Sequence, residues 1–159
     1  PDVDAPLDTG TEVKLHVPAL IPDDYLPNIS TRLVLYKRIA QAKTKNQLDE
    51  VQIEMIDRFG LLPDATKQLF AQAEMRLRAQ QLGISNIDVS AVGGSVKFEE
   101  TTPVPVNALI QLLQSNPKEF KLGGSDTLRF VKNLDSAVER KDYVDDLLQR
   151  WEKACPDLQ

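Results

Sequence analysis

Cysteine and histidine are nearly absent from this sequence of 159 residues, each occurring once, as Cys155 and His16. A single cysteine excludes a disulfide within the chain and any metal site built from several cysteines. A single histidine excludes a histidine-cluster zinc site and weakens any catalytic scheme that pairs histidine with serine or cysteine. We therefore expect neither a metal centre nor a nucleophilic active site that depends on these residue types.

Glycine-rich phosphate-binding motifs are missing as well, since the sequence contains no G-x-x-x-x-G-K-[ST], G-x-G-x-x-G or G-x-S-x-G. Its two Gly-Gly pairs each precede a strand pattern, which favours a hairpin turn over a phosphate cradle. General acid-base catalysis needs two carboxylates in different environments of one cleft. The adjacent carboxylates here are neighbours in sequence, which favours solvated segments over a catalytic cleft. A magnesium site is the minor alternative for these pairs: Asp23-Asp24, Glu99-Glu100 and Asp145-Asp146. We expect no enzyme and no cofactor.

Long apolar runs are also lacking, and none approaches the roughly 20 residues that cross a bilayer. Because the sequence opens with Pro1 and shows no leader-like segment, we expect a cytoplasmic piece of a longer chain, without a membrane partner. The 42% apolar and 27% charged residues are typical of a globular domain. A net charge of −5 repels phosphate backbones, so nucleic-acid binding would require a local basic face.

Helix-capping residues predict five helices. Thr44 with Gln47 forms a Thr-x-x-Gln capping box, and Gly60 suits the end of the same helix. Pro63 fits the first turn of the next helix, and Ser136 begins a Ser-x-x-Glu box. The predicted helices cover about residues 30–42, 44–60, 63–83, 105–114 and a last segment from 135 onward. In that last helix, the spacing from Leu147 and Leu148 predicts a core position for Trp151.

Alternating polar and apolar residues predict the strands. Residues 12–17 read as a half-buried strand with His16 on its solvated face. Two hairpins follow, around Gly93-Gly94 and Gly123-Gly124. The predicted fold is α+β, a single domain whose antiparallel sheet is built from hairpins and covered by about five helices. We expect an extended linker at 1–10, the domain at 11–151 and a tail at 152–159.

The second helix carries a polar surface of unusual composition. Projected at helical spacing, Leu48, Val51, Met55 and Phe59 share one side with Ile56 beside them. The opposite side carries Glu50, Glu54, Asp57 and Arg58, with Ile53 at its edge. The pattern fits either a solvated face with a Glu54–Arg58 pair or a protein-binding face anchored by Arg58 and Ile53.

Basic residues gather on two other helical segments and suggest an alternative. They are Lys37, Arg38, Lys43 and Lys45 around the first helix, and Arg76 and Arg78 on the third. Such a cluster fits a nucleic-acid-binding accessory domain or a solubilising surface. Because only Tyr36 interleaves with these residues, a single-strand stacking platform is disfavoured.

Two segments resemble the C-terminal domain of bacterial transcription-repair coupling factors (Mfd). The first is Leu20-Ile21-Pro22-Asp23-Asp24-Tyr25-Leu26-Pro27, continuing to Arg32-Leu33-Val34-Leu35-Tyr36-Lys37-Arg38-Ile39. The second contains Asp57-Arg58-Phe59-Gly60 and Leu62-Pro63, which match a D-R-F-G-x-x-P pattern. The resemblance extends over about residues 11–151.

This resemblance implies a regulatory role inside an ATP-driven DNA translocase that displaces stalled RNA polymerase and recruits excision repair through UvrA. The motor would lie outside this chain. The domain would fold back on the N-terminal UvrB-like module of the same polypeptide and mask the surface that UvrA uses until polymerase is engaged. The family contact maps onto Glu54, Asp57 and Arg58 of this sequence.

Overall fold

The computed structural model describes residues 10–158 of the chain. The linker predicted at residues 1–10 therefore lies outside the described residues except for Gly10, and so does Gln159. The chain forms two compact units, one helical and consisting of Val17–Leu77, the other containing residues 10–16 and 78–158. The helices are α1 Ile29–Gln41, α2 Lys45–Phe59, α3 Asp64–Gln81, α4 Val106–Ser115 and α5 Ala137–Lys153.

Side-chain hydrogen bonds cap the first turns of α1 and α2 in the helical unit. The Asn28 side chain accepts the Thr31 amide at the start of α1, and the Thr44 hydroxyl accepts the Gln47 amide at the start of α2. In the predicted capping box, the Gln47 side chain would accept a hydrogen bond from the amide of the N-cap residue, Thr44. It accepts instead from the amide of Lys43, one residue earlier. The predicted cap and the Gly60 end of α2 are otherwise confirmed.

The core of the helical unit comes from the apolar stripes of its helices. Two tyrosines attach the preceding segment to this core. The Tyr36 hydroxyl accepts the Ile21 amide at 2.7 Å, and the Tyr25 hydroxyl donates to the Gly60 carbonyl at 2.8 Å. The buried side chains include Leu35, Ile39, Leu48, Val51, Met55, Phe70 and Ala73. The predicted inward face of the second helix is thus confirmed.

The second unit is built on a five-stranded sheet with the order β1-β2-β3-β5-β4. Its strands are β1 Glu12–Lys14, β2 Ile84–Ser90, β3 Gly93–Phe98, β4 Phe120–Leu122 and β5 Thr127–Val131. Only the short β1 pairs in parallel, with β2, among the described strand pairs. The predicted α+β class, with five helices and an antiparallel sheet of two hairpins, is confirmed.

The first predicted hairpin turn is wrong in detail. Ala91 and Val92 form the turn, and Gly93-Gly94 begins β3. A side chain at Gly94 would meet the Asp88 carbonyl of β2, and one at Gly93 would meet the Phe130 carbonyl of β5. The pair therefore permits close approach of neighbouring strands. In the second hairpin, Gly123-Gly124 does lie in the connecting loop, as predicted.

The first strand is shorter than predicted and excludes His16. It ends at Lys14, and His16 adopts a positive φ of 56° outside the strand. Buried Arg140 of α5 explains this ending, because its Nη1 donates to the Leu15 carbonyl at 2.9 Å and to that of His16. The His16 ring remains exposed and lies 2.7 Å from an Asp88 carboxylate oxygen.

The last helix confirms the predicted capping box between Ser136 and Glu139. Trp151 is a core residue, as predicted, with its ring edge-on to Phe98 at a centroid distance of 5.1 Å. The helix continues to Lys153, and Cys155 is buried. Within residues 10–158, no helix combines the length and apolar character that a bilayer span needs.

Candidate protein-interaction surface

The outward side of α2 carries the five residues that the sequence singled out, and we call them the acidic stripe: Glu50, Ile53, Glu54, Asp57 and Arg58. The helix turns this side to solvent because its other side buries Leu48, Val51 and Met55. Ile53 leaves 60% of its surface exposed, although an isoleucine is ordinarily a core residue. The stripe thus combines exposed charge with one exposed branched apolar side chain.

Glu54 is the member of the acidic stripe that is held most firmly. Arg38 Nη1 on α1 donates to Glu54 Oε1 at 3.0 Å, and Arg58 Nη1 donates to Glu54 Oε2 at 3.1 Å. These hydrogen bonds, from Arg38 first and Arg58 second, lower the pKa of the Glu54 carboxyl. Glu54 is therefore ionised at neutral pH and links α1 to α2.

Arg58 is oriented by two contacts within the helical unit. Its guanidinium lies 4.8 Å from the centroid of the Phe59 ring and also pairs with Glu54 one turn earlier. Phe59 itself packs edge-on against Tyr25, with ring centroids 6.2 Å apart. A cation over an aromatic ring gains electrostatic stabilisation from the ring face. The Arg58 side chain is thus oriented while half of it remains exposed.

Glu50 and Asp57 differ from Glu54 because neither carboxylate has a hydrogen-bond or ion-pair partner among residues 10–158. Asp57 also lies in the last turn of α2, where the helix dipole disfavours negative charge. Nothing in the local structure stabilises this position of the carboxylate. Exposed, unpaired carboxylates are free to meet cations of another surface.

Arg38 also belongs to this site, although its sequence position predicts a place in the basic cluster around the first helix. That cluster fits a nucleic-acid face, whereas the Arg38 guanidinium binds Glu54. Lys45 is also paired, with Asp49 at 3.0 Å. Lys37 and Lys43 remain exposed. Because Arg38 and Lys45 each pair with a carboxylate, this cluster offers less positive charge to phosphates.

The other charged residues considered from the sequence, Arg76, Arg78 and Asp145, form hydrogen bonds or ion pairs within the fold. Arg76 donates to the Ala40 carbonyl at 3.4 Å. Arg78 binds Asp145 at 3.0 Å and Glu152 at 2.9 Å, so Asp145 of the predicted carboxylate pair is part of an ion-pair network. No group of three metal-ligating side chains is found in the part of the chain that the structure describes.

Comparison with known proteins identifies relatives over most of the chain. The family model described as TRCF domain matches residues 15–109. The transcription-repair-coupling factor of Escherichia coli (strain K12) is 43% identical over 143 residues, which cover 90% of this chain. That of Haemophilus influenzae (strain ATCC 51907 / DSM 11121 / KW20 / Rd) is 44% identical over 138 residues, or 87% of this chain.

The relatives are much longer than this chain, which spans only 12% of the length of each of these two. Similarity in fold comes from the crystal structure of the C-terminal domain of a transcription-repair coupling factor. It matches with a TM-score of 0.76 and 20% sequence identity, covering 94% of this chain and 97% of that one.

Proposed function

This chain belongs to the TRCF domain family, and from that premise we propose that it is a non-catalytic regulatory domain of a transcription-repair coupling factor. In this proposal it docks through the acidic stripe on a UvrB-like module at the N-terminus of the same polypeptide. Docking covers the surface that UvrA would bind and holds the factor inactive until RNA polymerase is engaged. The coupling factor as a whole would act on DNA in the cytoplasm.

The observation that carries the proposal is the state of Asp57. Its carboxylate is exposed, has no partner among residues 10–158, and lies at the helix end where negative charge is disfavoured. Ile53 adds an exposed apolar side chain, and Arg58 adds a preoriented cation. An interface generally combines such an apolar anchor with oriented charges around it.

A contact of this size is expected to be weak between separate molecules and effective within one polypeptide. Tethering raises the effective concentration of the two surfaces to about the millimolar range. A weak closed state is also easily opened, because a few kcal/mol of differential binding shifts such an equilibrium. Polymerase binding would supply that difference, and salt would weaken the charged contact.

The test is a calorimetric titration of this chain into the UvrB-like module of the same coupling factor, at low and moderate salt. Asp57→Lys is the informative variant because Asp57 has no hydrogen bond or ion pair among the described residues to lose. Asp146→Lys is the matched control, since it reverses an exposed aspartate on α5, outside the stripe. Glu54→Lys also perturbs the Arg38 and Arg58 pairs, so it is interpreted only together with its thermal stability.

We expect the parent and Asp146→Lys to bind, and Asp57→Lys to lose binding. Undiminished binding by Asp57→Lys would reject the acidic stripe as the docking site. Absence of heat for the parent at about millimolar concentration, where a tethered contact operates, would reject the docking function itself. In the full-length protein, reversal of Asp57 should raise the affinity for UvrA.

A further inference from the structure

A second charged surface lies on the open side of the sheet, far in sequence from the acidic stripe. Strand pairing places Lys121 of β4 directly opposite Arg129 of β5, and Arg129 opposite Ser95 of β3. Lys97 lies two residues along β3 from Ser95, on the same face. All three cations are exposed. We call Lys97, Lys121 and Arg129 the basic sheet face.

The charge of the basic sheet face is not neutralised by the fold. None of the three cations has a hydrogen-bond or ion-pair partner among the described residues. Among the acidic residues near this side of the sheet, Glu12 pairs with Lys14, and Asp88 Oδ1 lies 2.7 Å from His16 Nε2. Asp126, just before β5, accepts a hydrogen bond from the Thr127 hydroxyl. The chain as a whole has a net charge of −5, so the sign of the charge on this face is opposite to that of the whole chain.

The Lys121–Arg129 pair is unfavourable for the sheet itself. Like charges directly opposite each other on neighbouring strands destabilise a sheet. Arg129 is also held near β4, because its side chain lies over Gly123, where an added Cβ would collide with the Arg129 Nε. The two cations are therefore kept together at a cost in stability, which an anionic partner would relieve.

The side chains between the cations indicate which kind of partner fits. Ser95 lies directly opposite Arg129, and a serine hydroxyl together with Lys and Arg is a usual donor to phosphate oxygens. The Thr127 hydroxyl, opposite Lys97, already donates to Asp126. A protein interface would have an aromatic or aliphatic anchor at the centre, whereas the exposed Val131 lies at the end of β5. The phenylalanines Phe98, Phe120 and Phe130 are buried, so this face offers no stacking platform for single-stranded bases.

We propose that the basic sheet face binds the phosphate backbone of double-stranded nucleic acid, without reading its sequence. Binding of this kind is electrostatic and releases counterions from the duplex. Because the chain is acidic overall, nucleic-acid binding requires a local basic face, and the basic sheet face is one. Its residues are not those of the helical cluster around Lys37 and Lys43. The proposal is independent of docking through the acidic stripe.

The experiment measures fluorescence anisotropy of a labelled DNA duplex of about 20 base pairs, titrated with the 159-residue chain at about 50 and 200 mM salt. The test variant replaces the three cations together: Lys97→Gln, Lys121→Gln and Arg129→Gln. The matched control, Lys37→Gln with Lys43→Gln, removes exposed cations of the helical unit. Thermal melting of each variant establishes that it is folded, and the three single variants replace the triple variant if it is not.

We expect the parent to bind weakly, with log K falling against log salt at a slope of about −2.7 for three phosphate contacts. The triple variant should lose about tenfold or more in affinity at the lower salt and most of the slope, whereas the control should keep both. Each single variant should reduce the slope by about 0.9.

Three results would overturn the proposal. The first is no anisotropy change for the parent at the lower salt. The second is a loss of affinity in the Lys37 and Lys43 control equal to that in the triple variant. The third is tighter binding of polyglutamate than of the duplex at matched salt, which would assign the face to an acidic protein segment.

Discussion

The carboxylate of Glu54 on α2 is bound by the guanidinium of Arg38 on α1, with Nη1 and Oε1 3.0 Å apart. This pair separates two roles within the acidic stripe. Glu54 joins two helices of its own unit, whereas Asp57, three residues later, has no partner among the described residues. A substitution at Glu54 therefore changes packing and surface charge together. A substitution at Asp57 changes surface charge without breaking a side-chain hydrogen bond or ion pair among the described residues.

The Arg38–Glu54 pair predicts a specific pH dependence of stability. The pKa of Glu54 is lowered from 4.5 in the folded chain, so its stabilising contribution is present above that value and is lost as the pH falls through the folded pKa. Glu54→Gln should therefore be less stable than the parent at about pH 6, and the difference should shrink towards about pH 3. Urea denaturation midpoints measure this difference.

Glu50→Gln is the control for this measurement, because Glu50 lies on the same helix and has no hydrogen-bond or ion-pair partner within residues 10–158. Its midpoint should follow the parent at both pH values. Glu139 also has a lowered pKa, mainly from hydrogen bonds at Ser136, and both variants retain it. A difference for Glu54→Gln that does not change with pH would contradict the assigned pairing.

The features that the sequence predicted correctly are those decided within a few residues. The caps at Thr44 and Ser136 depend on amides three residues away, and the buried side of α2 depends on helical spacing. The Arg38–Glu54 pair depends on how α1 packs against α2, and no local pattern reports that. The acidic stripe could be identified by spacing, but its division into paired and unpaired acids could not.

The error at Gly93-Gly94 has a related physical origin. A glycine pair suits both a tight turn and a strand that lies close to its neighbours, so the local pattern permits either arrangement. Pairing of β3 with both β2 and β5 decides between them. The basic sheet face likewise cannot be found from local patterns, since Lys97, Lys121 and Arg129 meet only through the strand order.

Reversal of Asp57 should separate stability from docking. Asp57→Lys removes a carboxylate from the last turn of α2 and adds a cation there, which favours the helix by about 0.3–1 kcal/mol. We therefore expect an equal or higher free energy of unfolding together with loss of binding to the UvrB-like module. Chemical denaturation and calorimetry on the same preparation measure the two quantities. A large loss of stability would show that Asp57 has a structural role instead.

The two hairpin glycines should respond differently to alanine. At Gly94 a Cβ would meet the Asp88 carbonyl, and forcing these strands apart should lower the free energy of unfolding by about 2–3 kcal/mol. At Gly124 the surrounding space is open and only the positive φ of 87° is strained, which should cost about 1–2 kcal/mol. Urea denaturation of Gly94→Ala and Gly124→Ala compares them. A smaller loss at Gly94 than at Gly124 would contradict the register of β3.

Lys121→Glu should make the sheet more stable and the chain a poorer ligand for duplex DNA. The substitution replaces a like-charge pair opposite Arg129 with an opposite-charge pair, which should add about 0.2–1 kcal/mol to the free energy of unfolding. It also removes one phosphate contact and introduces repulsion, so the affinity for the duplex should fall by about tenfold or more.

Lys37→Glu is the matched control for this last variant, since it reverses an exposed lysine of α1 in the helical unit. It should lower the duplex affinity much less than Lys121→Glu does, because only the net charge of the chain changes. Thermal melting and anisotropy of both variants measure the two effects. A gain in stability with unchanged DNA affinity would show that the Lys121–Arg129 pair is a flaw of the sheet without a role in binding. A loss of both stability and DNA affinity in Lys121→Glu would show that Lys121 stabilises the fold despite its exposed position.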